Sequence, residues 1–248
     1  MQQSLAHILE NRNMTMIHQN EIKQIVINNG ADLFGIASVN RFDSAPKGFH
    51  PLDIYKKTKS VIVFAKRIPF ETLYAESCVP FTHISTLAMQ AVDLMTFHIS
   101  TKLDSIGIKN VIIPTDDPYE YWDEENKTGR AILSLRHTGY LAGLGIIGRN
   151  NLLVNEQFGN MIQIGAVLTD SEIEPSPLAD YKTCPDNCRI CLDTCPAKAL
   201  DGTTVNQKLC RSLSNYRNEK GYVLKKCSNC RKNCPLTLGL KNTKIDVC

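Results

Sequence analysis

The residues of this 248-residue chain whose spacing points most directly to chemistry are its ten cysteines. Eight of them lie between residues 184 and 234, and two runs there repeat one pattern, Cys-x2-Cys-x3-Cys-Pro, at residues 188–196 and 227–235. Cys184 precedes the first run, and Cys210 lies alone between the two. Thiolates at such regular intervals are metal ligands more often than structural residues, so this stretch predicts a metal-binding module.

The repeated runs match the bacterial ferredoxin pattern for a pair of cubane iron–sulfur clusters. In that pattern the cysteine before the proline ligates the other cluster. The spacing therefore predicts two [4Fe-4S] clusters, and the eight cysteines divide between them without remainder. The first cluster is assigned Cys184, Cys188, Cys191 and Cys234, and the second is assigned Cys195, Cys210, Cys227 and Cys230. Cys184 is the least regular ligand, because three residues separate it from Cys188 where the usual run has two.

Two other uses of these cysteines remain open. Cys-x2-Cys pairs also build structural zinc sites, although zinc gives no reason for a third cysteine followed by proline in both runs. A disulfide framework is less favoured, because we expect no signal peptide and a chain of this length can bury a core without cross-links. The cysteine content then indicates a reducing, cytoplasmic location. Cys78 and Cys248 have no partner at ligand spacing, and no role is assigned to them.

Composition sets broad limits on the function. The formal net charge of +3 is too small to indicate nucleic-acid binding by itself. No apolar run approaches the length of a membrane span, so no membrane partner is expected. The oligomeric state is not readable from the sequence.

Alternating strand-like and helix-like segments predict an α+β fold. Helices are expected at residues 20–29, 51–57, 81–103 and 130–142, and strands at 31–39, 60–65 and 111–114. Residues 152–154 and 161–169 are expected to pair as strands. The predicted divisions are a tail at residues 1–19, a core at 20–174 and a cysteine-rich module at 175–248, with Pro175 and Pro177 stiffening the boundary.

Three glycines, Gly143, Gly145 and Gly148, match the G-x-G-x-x-G dinucleotide fingerprint. That site needs a strand before the glycines and a helix after them, so that a helix N-terminus meets the pyrophosphate. Here a helix-like segment precedes the glycines and β-like residues follow. A nicotinamide site is therefore disfavoured, and the glycines indicate a tight turn with a close backbone approach.

Two groups of charged residues allow more than one interpretation. The acidic run at residues 116–125, with Tyr119, Tyr121 and Trp122 interleaved, is favoured as a solvated loop over a lid above a pocket. Basic residues near the second cysteine run are expected to be solvating charges. They could equally form a docking patch for an acidic electron donor or for RNA phosphate. They are Lys225, Lys226, Arg231 and Lys232.

The segment LAGLGIIGRNNLLVNEQFGNMIQIGAVLTD (residues 141–170), followed by the double cysteine run, resembles the epoxyqueuosine reductase family. ADLFGIASV and HPLDIYKKTKSVIVFAKRIP upstream are also similar, so the resemblance covers most of residues 20–240. It implies a nitroreductase-like, corrinoid-binding core followed by a bacterial-ferredoxin-like double [4Fe-4S] module, which the family shares with corrinoid-dependent reductive dehalogenases. By family position, the residues that line the corrinoid are Gly145, Gly148, Arg149, Asn150 and Asn151.

The resemblance implies an oxidoreductase with cobalamin as a second cofactor. Single electrons from a donor such as ferredoxin or flavodoxin would cross the two clusters to the corrinoid, which would reduce a tRNA or a small molecule. The alternative is an electron-transfer or activator protein that reduces the corrinoid of a partner enzyme and carries no substrate chemistry. A cluster-containing binding or structural module is a third possibility.

Two features depart from the family. Its proton-donating aspartate, in an Asp-x-x-Pro segment, would fall near residues 129–132, which read GRAI. The chain also ends soon after the second cysteine run, where the family's tRNA-binding helical repeats begin, so a short form is expected. Tyr140, His137 and Arg136 are candidate substitutes for the missing donor.

Overall fold

The computed structural model describes residues 19–242, without the side chain of Asn242. The predicted tail, apart from Gln19, and Cys248 lie outside the described residues. The helices are α1 (Gln19–Asn28), α2 (Pro51–Ile54), α3 (Cys78–Ser105), α4 (Leu135–Leu141), α5 (Ile190–Asp193), α6 (Gln207–Ser214) and α7 (Asn229–Lys232). The strands are β1 (Leu33–Ser38), β2 (Ser60–Arg67), β3 (Asn110–Ile113), β4 (Tyr121–Asp123), β5 (Thr128–Arg130), β6 (Ile146–Ile147), β7 (Leu153–Val154), β8 (Ile162–Thr169), β9 (Asn215–Arg217) and β10 (Val223–Lys225).

A four-stranded antiparallel sheet in the order β1-β2-β8-β3 forms the centre of the core. The central strand β2 is apolar and β-branched along most of its length, and both of its faces are buried, as such a composition requires. Ile62 and Phe64 point to one face, where they pack with α1 and α3. Val61 and Val63 point to the other face, toward residues 133–164.

Most of the predicted elements are confirmed within a few residues. The helix expected at 81–103 spans Cys78–Ser105 because Ser77 caps it, its side chain accepting a hydrogen bond from the Val79 N–H. The face that packs on the sheet includes Val92, Ile99 and Leu103. This long helix and the sheet make the rigid frame on which the loops of the site are held.

Two predictions about the middle of the chain were wrong. The helix expected at 130–142 begins only at Leu135, because Thr128–Arg130 pairs with Tyr121–Asp123 as a hairpin. Residues 152–154 do not pair with 161–169. Instead β7 pairs with β6, and β8 enters the main sheet between β2 and β3, where both of its edges are hydrogen-bonded. Seven of the eight β8 residues are buried, which fits an interior position in a sheet that is covered on both faces.

The boundary near residue 175 is hydrogen-bonded to the core. The Ser176 N–H donates to the Ile36 carbonyl at 2.9 Å, and Arg41 donates to the Ser176 carbonyl at 2.8 Å. The segment expected to be a stiff linker therefore lies along the edge strand β1. In the cysteine-rich part that follows, the described residues, up to 242, form only short helices and the β9–β10 hairpin, which contacts α3.

Across residues 19–242, no helix combines the length and the apolar character needed to cross a membrane.

Candidate active site

Four of the cysteines line one small cavity between the cysteine-rich part and the core. They are Cys184, Cys188, Cys191 and Cys234, the same four assigned to the first cluster. Burial, together with the nearby thiols of Cys184, Cys191 and Cys188, raises the pKa of the Cys234 thiol to about 12. Residues distant in the sequence thus converge on a single space with four sulfur donors.

The other four cysteines also lie close together. The pKa of the Cys230 thiol is raised to about 11, chiefly by burial and also by Cys210, Cys227 and Cys195, while Arg231 opposes the rise. Burial is likewise the main cause of the raised pKa of Cys210, to which Cys195 and Cys227 contribute. Iron–sulfur clusters bind thiolates, so raised thiol pKa values mean that assembly must release protons.

None of the nine cysteines in the described part of the chain forms a disulfide. Within residues 19–242, no group of three or more His, Cys, Asp or Glu side chains converges on a single metal ion. What the first four cysteines share is a cavity bounded by Gly148, Arg149, Asn150 and Leu236.

The glycine-rich loop lies against this cysteine cavity. The Arg149 N–H points to the Cys184 sulfur at 3.4 Å, and the Arg149 guanidinium donates to the carbonyls of Cys188 and Asp186. Asn150 donates to the Cys230 carbonyl at 3.0 Å. A backbone N–H aimed at a sulfur is a common way of stabilising a cluster thiolate.

The loop does not border a second and larger cavity, which lies on the face of the sheet that carries α4. None of the five residues expected to line a corrinoid forms its wall, and three of them bound the cysteine cavity instead. A helix precedes the loop and short strands follow, which is not the dinucleotide-binding context. The contact of Gly145, Gly148, Arg149, Asn150 and Asn151 with a corrinoid stays a prediction.

The larger cavity, of about 1070 Å³, lies on the face of the sheet that carries α4. This volume is at the upper end of the range for sites that hold drug-sized ligands. Phe42, Phe49, Leu133 and Ile164 supply apolar wall. Cys210 lies in the wall as well, so the second group of cysteines borders the space in which a ligand would bind.

Two buried polar atoms in the cavity wall lack partners among the described residues. They are the hydroxyl oxygen of Thr115 and the side-chain carbonyl oxygen of Asn160. Asn160 is only 1% exposed, and Thr115 is 8% exposed. A buried polar atom without a hydrogen bond lowers the stability of the fold. A polar ligand or an ordered water is therefore expected to form the missing hydrogen bonds.

The acidic run is part of a hairpin over this cavity. Asp116 and Tyr119 line the wall, and the Tyr119 hydroxyl donates a hydrogen bond to the Asp116 carboxylate. Burial raises the pKa of Tyr119 above its ordinary value, and the hydrogen bond to Asp116 raises it further. The preferred interpretation of this run as a solvated loop is therefore wrong for Asp116 and Tyr119, and the lid alternative fits them.

The hairpin is fastened to helix α6, which carries Cys210. The Gln207 side chain bonds to both the N–H and the carbonyl of Gly129, at 3.1 and 3.2 Å. The Arg211 guanidinium stacks over the Trp122 ring, 4.9 Å from its centroid, and donates to the Lys127 carbonyl. One helix thus contributes both a cluster cysteine candidate and the attachment of the hairpin.

All three substitute proton donors line the larger cavity. His137 lies with Nδ1 2.7 Å from the Ser134 hydroxyl. Burial lowers the pKa of His137, and the neighbouring Arg136 lowers it further, so the imidazole is neutral near pH 7. Arg136 donates to the Asn151 carbonyl at 3.0 Å. Tyr140 is 36% exposed, and the His137 side chain is exposed as well, whereas Arg136 is half-buried.

Sequence reasoning missed Arg211 and misread Lys225 and Arg231. Arg231 lines the cavity and donates to the Asn160 carbonyl, and burial lowers its pKa. Burial also lowers the pKa of Lys225, while Asp116 raises it. Both side chains are half-buried rather than fully solvated. The available signal was positional: Arg211 and Arg231 each follow a cysteine assigned to the second cluster, so their side chains must lie near it.

The structure combines a mixed α+β core, a large cavity and eight cysteines in two groups. Sequence comparison relates the chain to two kinds of reductase. Over 173 residues the chain is 30% identical to the epoxyqueuosine reductase of Staphylococcus aureus, a match that covers 65% of this chain and 40% of the relative. It is 25% identical over 233 residues to a tetrachloroethene reductive dehalogenase of Desulfitobacterium hafniense, covering 86% of this chain and 38% of the relative. No family model matches the chain.

The structure of epoxyqueuosine reductase from Streptococcus thermophilus superposes with a TM-score of 0.64 at 17% identity, over 90% of this chain and 66% of that one. A related structure with a TM-score of 0.59 and 17% identity, covering 88% of this chain and 65% of that one, is an epoxyqueuosine reductase with a modified tRNA stem loop. The predicted resemblance to the epoxyqueuosine reductase family is confirmed, and it extends to reductive dehalogenases. Both named relatives are reductases, and the chain spans about two fifths of their length.

Proposed function

We propose that this protein is an oxidoreductase resembling epoxyqueuosine reductase, in which two [4Fe-4S] clusters pass single electrons to a cobalamin that reduces a substrate. One observation carries the proposal: the cysteines form two groups of four, and Cys210 of the second group lies in the wall of a large cavity. The nitroreductase-like core, the ferredoxin-like module and the cytoplasmic location are part of the same proposal.

The donor sets fit the clusters. Cys184, Cys188, Cys191 and Cys234 would hold one cluster in their shared cavity, with the Arg149 N–H directed at the Cys184 sulfur. Cys195, Cys210, Cys227 and Cys230 would hold the other, which borders the large cavity through Cys210. The first group is then the entry for electrons from a ferredoxin or flavodoxin, and the second is the exit.

The large cavity offers the space in which a corrinoid would bind next to Cys210. When bound there, cobalamin would supply low-valent cobalt that reduces the substrate. The chain's own part is to hold the group beside Cys210, to cover it with the hairpin and to supply a proton. Tyr140, His137 and the Tyr119–Asp116 pair face the cavity as candidate proton sources.

Metal and cobalt content tests this proposal. After anaerobic reconstitution with iron, sulfide and cobalamin, we expect about eight irons per chain. We also expect one retained cobalt, with the visible spectrum of the cobalamin changed by binding. A substitution in the apolar wall provides the comparison: Leu135→Trp, which places a bulky ring in the cavity, is expected to lower the retained cobalt and keep the iron.

Other metal contents would contradict parts of the proposal. A full iron content without cobalt would favour an electron-transfer protein that serves a partner enzyme. Zinc without iron would contradict both the proposed oxidoreductase and the alternative electron-transfer protein.

A further inference from the structure

We propose that the wall of the large cavity beside Cys210 is an anion-binding subsite, built for a small substrate that carries a phosphate or carboxylate group. The inference deepens the proposed function and rests on it for the role of the bound molecule as substrate. It is carried by the charges of the wall, by their lack of acidic partners and by two unpartnered buried oxygens.

The wall contains four arginines and one acidic residue. The arginines are Arg130, Arg136, Arg211 and Arg231, and the acidic residue is Asp116. None of the four forms an ion pair with a carboxylate anywhere in the described ranges, where the ion pairs involve other residues. A concave surface with this excess of cations attracts an anion.

Arg211 and Arg231 have guanidinium N–H groups that are available to donate hydrogen bonds to a ligand. Arg211 uses one guanidinium nitrogen to donate to the Lys127 carbonyl at 3.2 Å, and its face lies over Trp122. Arg231 donates to the Asn160 carbonyl and lies 3.8 Å from the Met161 sulfur. A guanidinium has five N–H donors in a planar fork that matches carboxylate and phosphate oxygens.

The one acidic residue does not neutralise this pair. Asp116 accepts the hydrogen bond of the Tyr119 hydroxyl, and the ammonium of Lys225 is its cationic neighbour. Asp116 is therefore already engaged by the Tyr119 hydroxyl, and among the described residues it forms no ion pair with any of the four arginines. The arginines keep their charge for a ligand.

The unpartnered oxygens suggest what else the ligand carries. The Thr115 hydroxyl can donate to an anion, whereas the Asn160 side-chain oxygen requires a donor. Asn160 is also the residue whose carbonyl receives the Arg231 guanidinium, so its side chain belongs to the same corner of the cavity. A phosphate or carboxylate next to a hydroxyl or amide group would satisfy both.

A small molecule fits this site better than an RNA strand. Single-stranded RNA is held along an extended cationic groove with successive stacking platforms. Here the arginines line a cavity that also has apolar walls, including Phe42 and Leu135. The phosphate of a bound cobalamin could occupy the same corner, so the test must separate that phosphate from a substrate anion.

The test is a calorimetric titration of the cluster-reconstituted protein with phenyl phosphate, benzoate and the uncharged benzyl alcohol, with and without saturating cobalamin. We expect the two anions to bind in both conditions. Arg211→Gln and Arg231→Gln should each weaken anion binding about tenfold, because each removes a charge-assisted hydrogen bond. Binding of benzyl alcohol should not change, and Arg211→Lys, which keeps the charge but not the planar fork, should retain part of the affinity.

Arg189→Gln is the matched control. Arg189 also follows a cysteine directly, but it is paired with Asp193 at 3.5 Å and does not line the cavity. Iron analysis of each variant separates loss of the subsite from loss of the clusters. If Arg231→Gln fails to assemble, Arg211→Gln with its lysine counterpart still decides the question.

Three results would overturn the inference. Anion affinities unchanged by both glutamine substitutions would remove the arginines from the site. Complete loss of anion binding once cobalamin is bound would assign the corner to the cofactor's own phosphate. Binding of an RNA stem loop, but not of phenyl phosphate, that is weakened by the same substitutions would assign it to nucleic acid. Failure to retain cobalt would contradict the proposed function alone, because the titration without cobalamin does not depend on it.

Discussion

Replacing Cys234 by serine is expected to remove the iron of one cluster and leave the other intact. Cys234 belongs to the second cysteine run, yet it lines the cavity formed with Cys184, Cys188 and Cys191. A serine hydroxyl is a poor substitute for a thiolate ligand, so we expect iron to fall from about eight to about four per chain. Iron and sulfide analysis after anaerobic reconstitution measures this directly.

Pairs of substitutions test how the eight cysteines divide between the two clusters. Cys184→Ser added to Cys234→Ser should cause no further loss of iron, because both residues serve one cluster. Cys227→Ser added to Cys234→Ser should remove nearly all the iron. Cys78→Ser is the control, since Cys78 begins helix α3 and lines neither cavity. If the first pair lost all the iron and the second only half, the shared-ligand assignment would be wrong.

Replacing Gly159 by alanine is expected to destabilise the protein by about 3–5 kcal/mol, through backbone strain and a steric clash. Gly159 has φ +57°, and a Cβ placed there would lie 2.0 Å from the Leu236 carbonyl oxygen and 2.3 Å from that of Thr237. Neither oxygen belongs to a flexible side chain, so the cysteine-rich part would have to move away from the core. Urea denaturation of the iron-free protein measures the free energy of unfolding.

Gly107 offers a matched control for the backbone conformation alone. It has φ +84°, and a Cβ there would meet no atom within 4 Å. Gly107→Ala should therefore cost only about 1–2 kcal/mol. Gly159→Ala should also lower the retained iron, because it disturbs the docking of the segment after Cys234. Equal losses of stability for the two variants would show that the close approach at Gly159 carries no energetic weight.

The cysteine pattern was the part of the site most open to sequence reasoning. Ligand spacing is set by local chain geometry, so the two runs predicted which residues would gather, including Cys234 with the first group. Elements with strong periodicity, such as the helix at Cys78–Ser105 and the strand at Ser60–Arg67, were equally accessible. In both cases the signal lies within a short stretch of chain.

The larger cavity could not be read in the same way, because its wall comes from distant segments. Asp116, Gln207 and Arg231 are brought together there by tertiary packing, in which the hairpin is hydrogen-bonded to helix α6. The acidic run looks like a solvated loop in the sequence, and only the structure shows that Tyr119 lines the cavity. The pairing of β8 with β2 and β3 is likewise a long-range choice, decided by burial on both faces rather than by its nearest neighbour in sequence.

The most direct test of the account is the rate at which cobalamin bound to the protein is reduced by an anaerobic electron donor, followed by visible spectroscopy. We expect reduction in the intact protein, and at least about tenfold slower reduction in Cys227→Ser, which would lack the cluster beside the cavity. Cys78→Ser should behave as the unchanged protein does. Equal rates in all three proteins would contradict electron delivery through the cluster at Cys210.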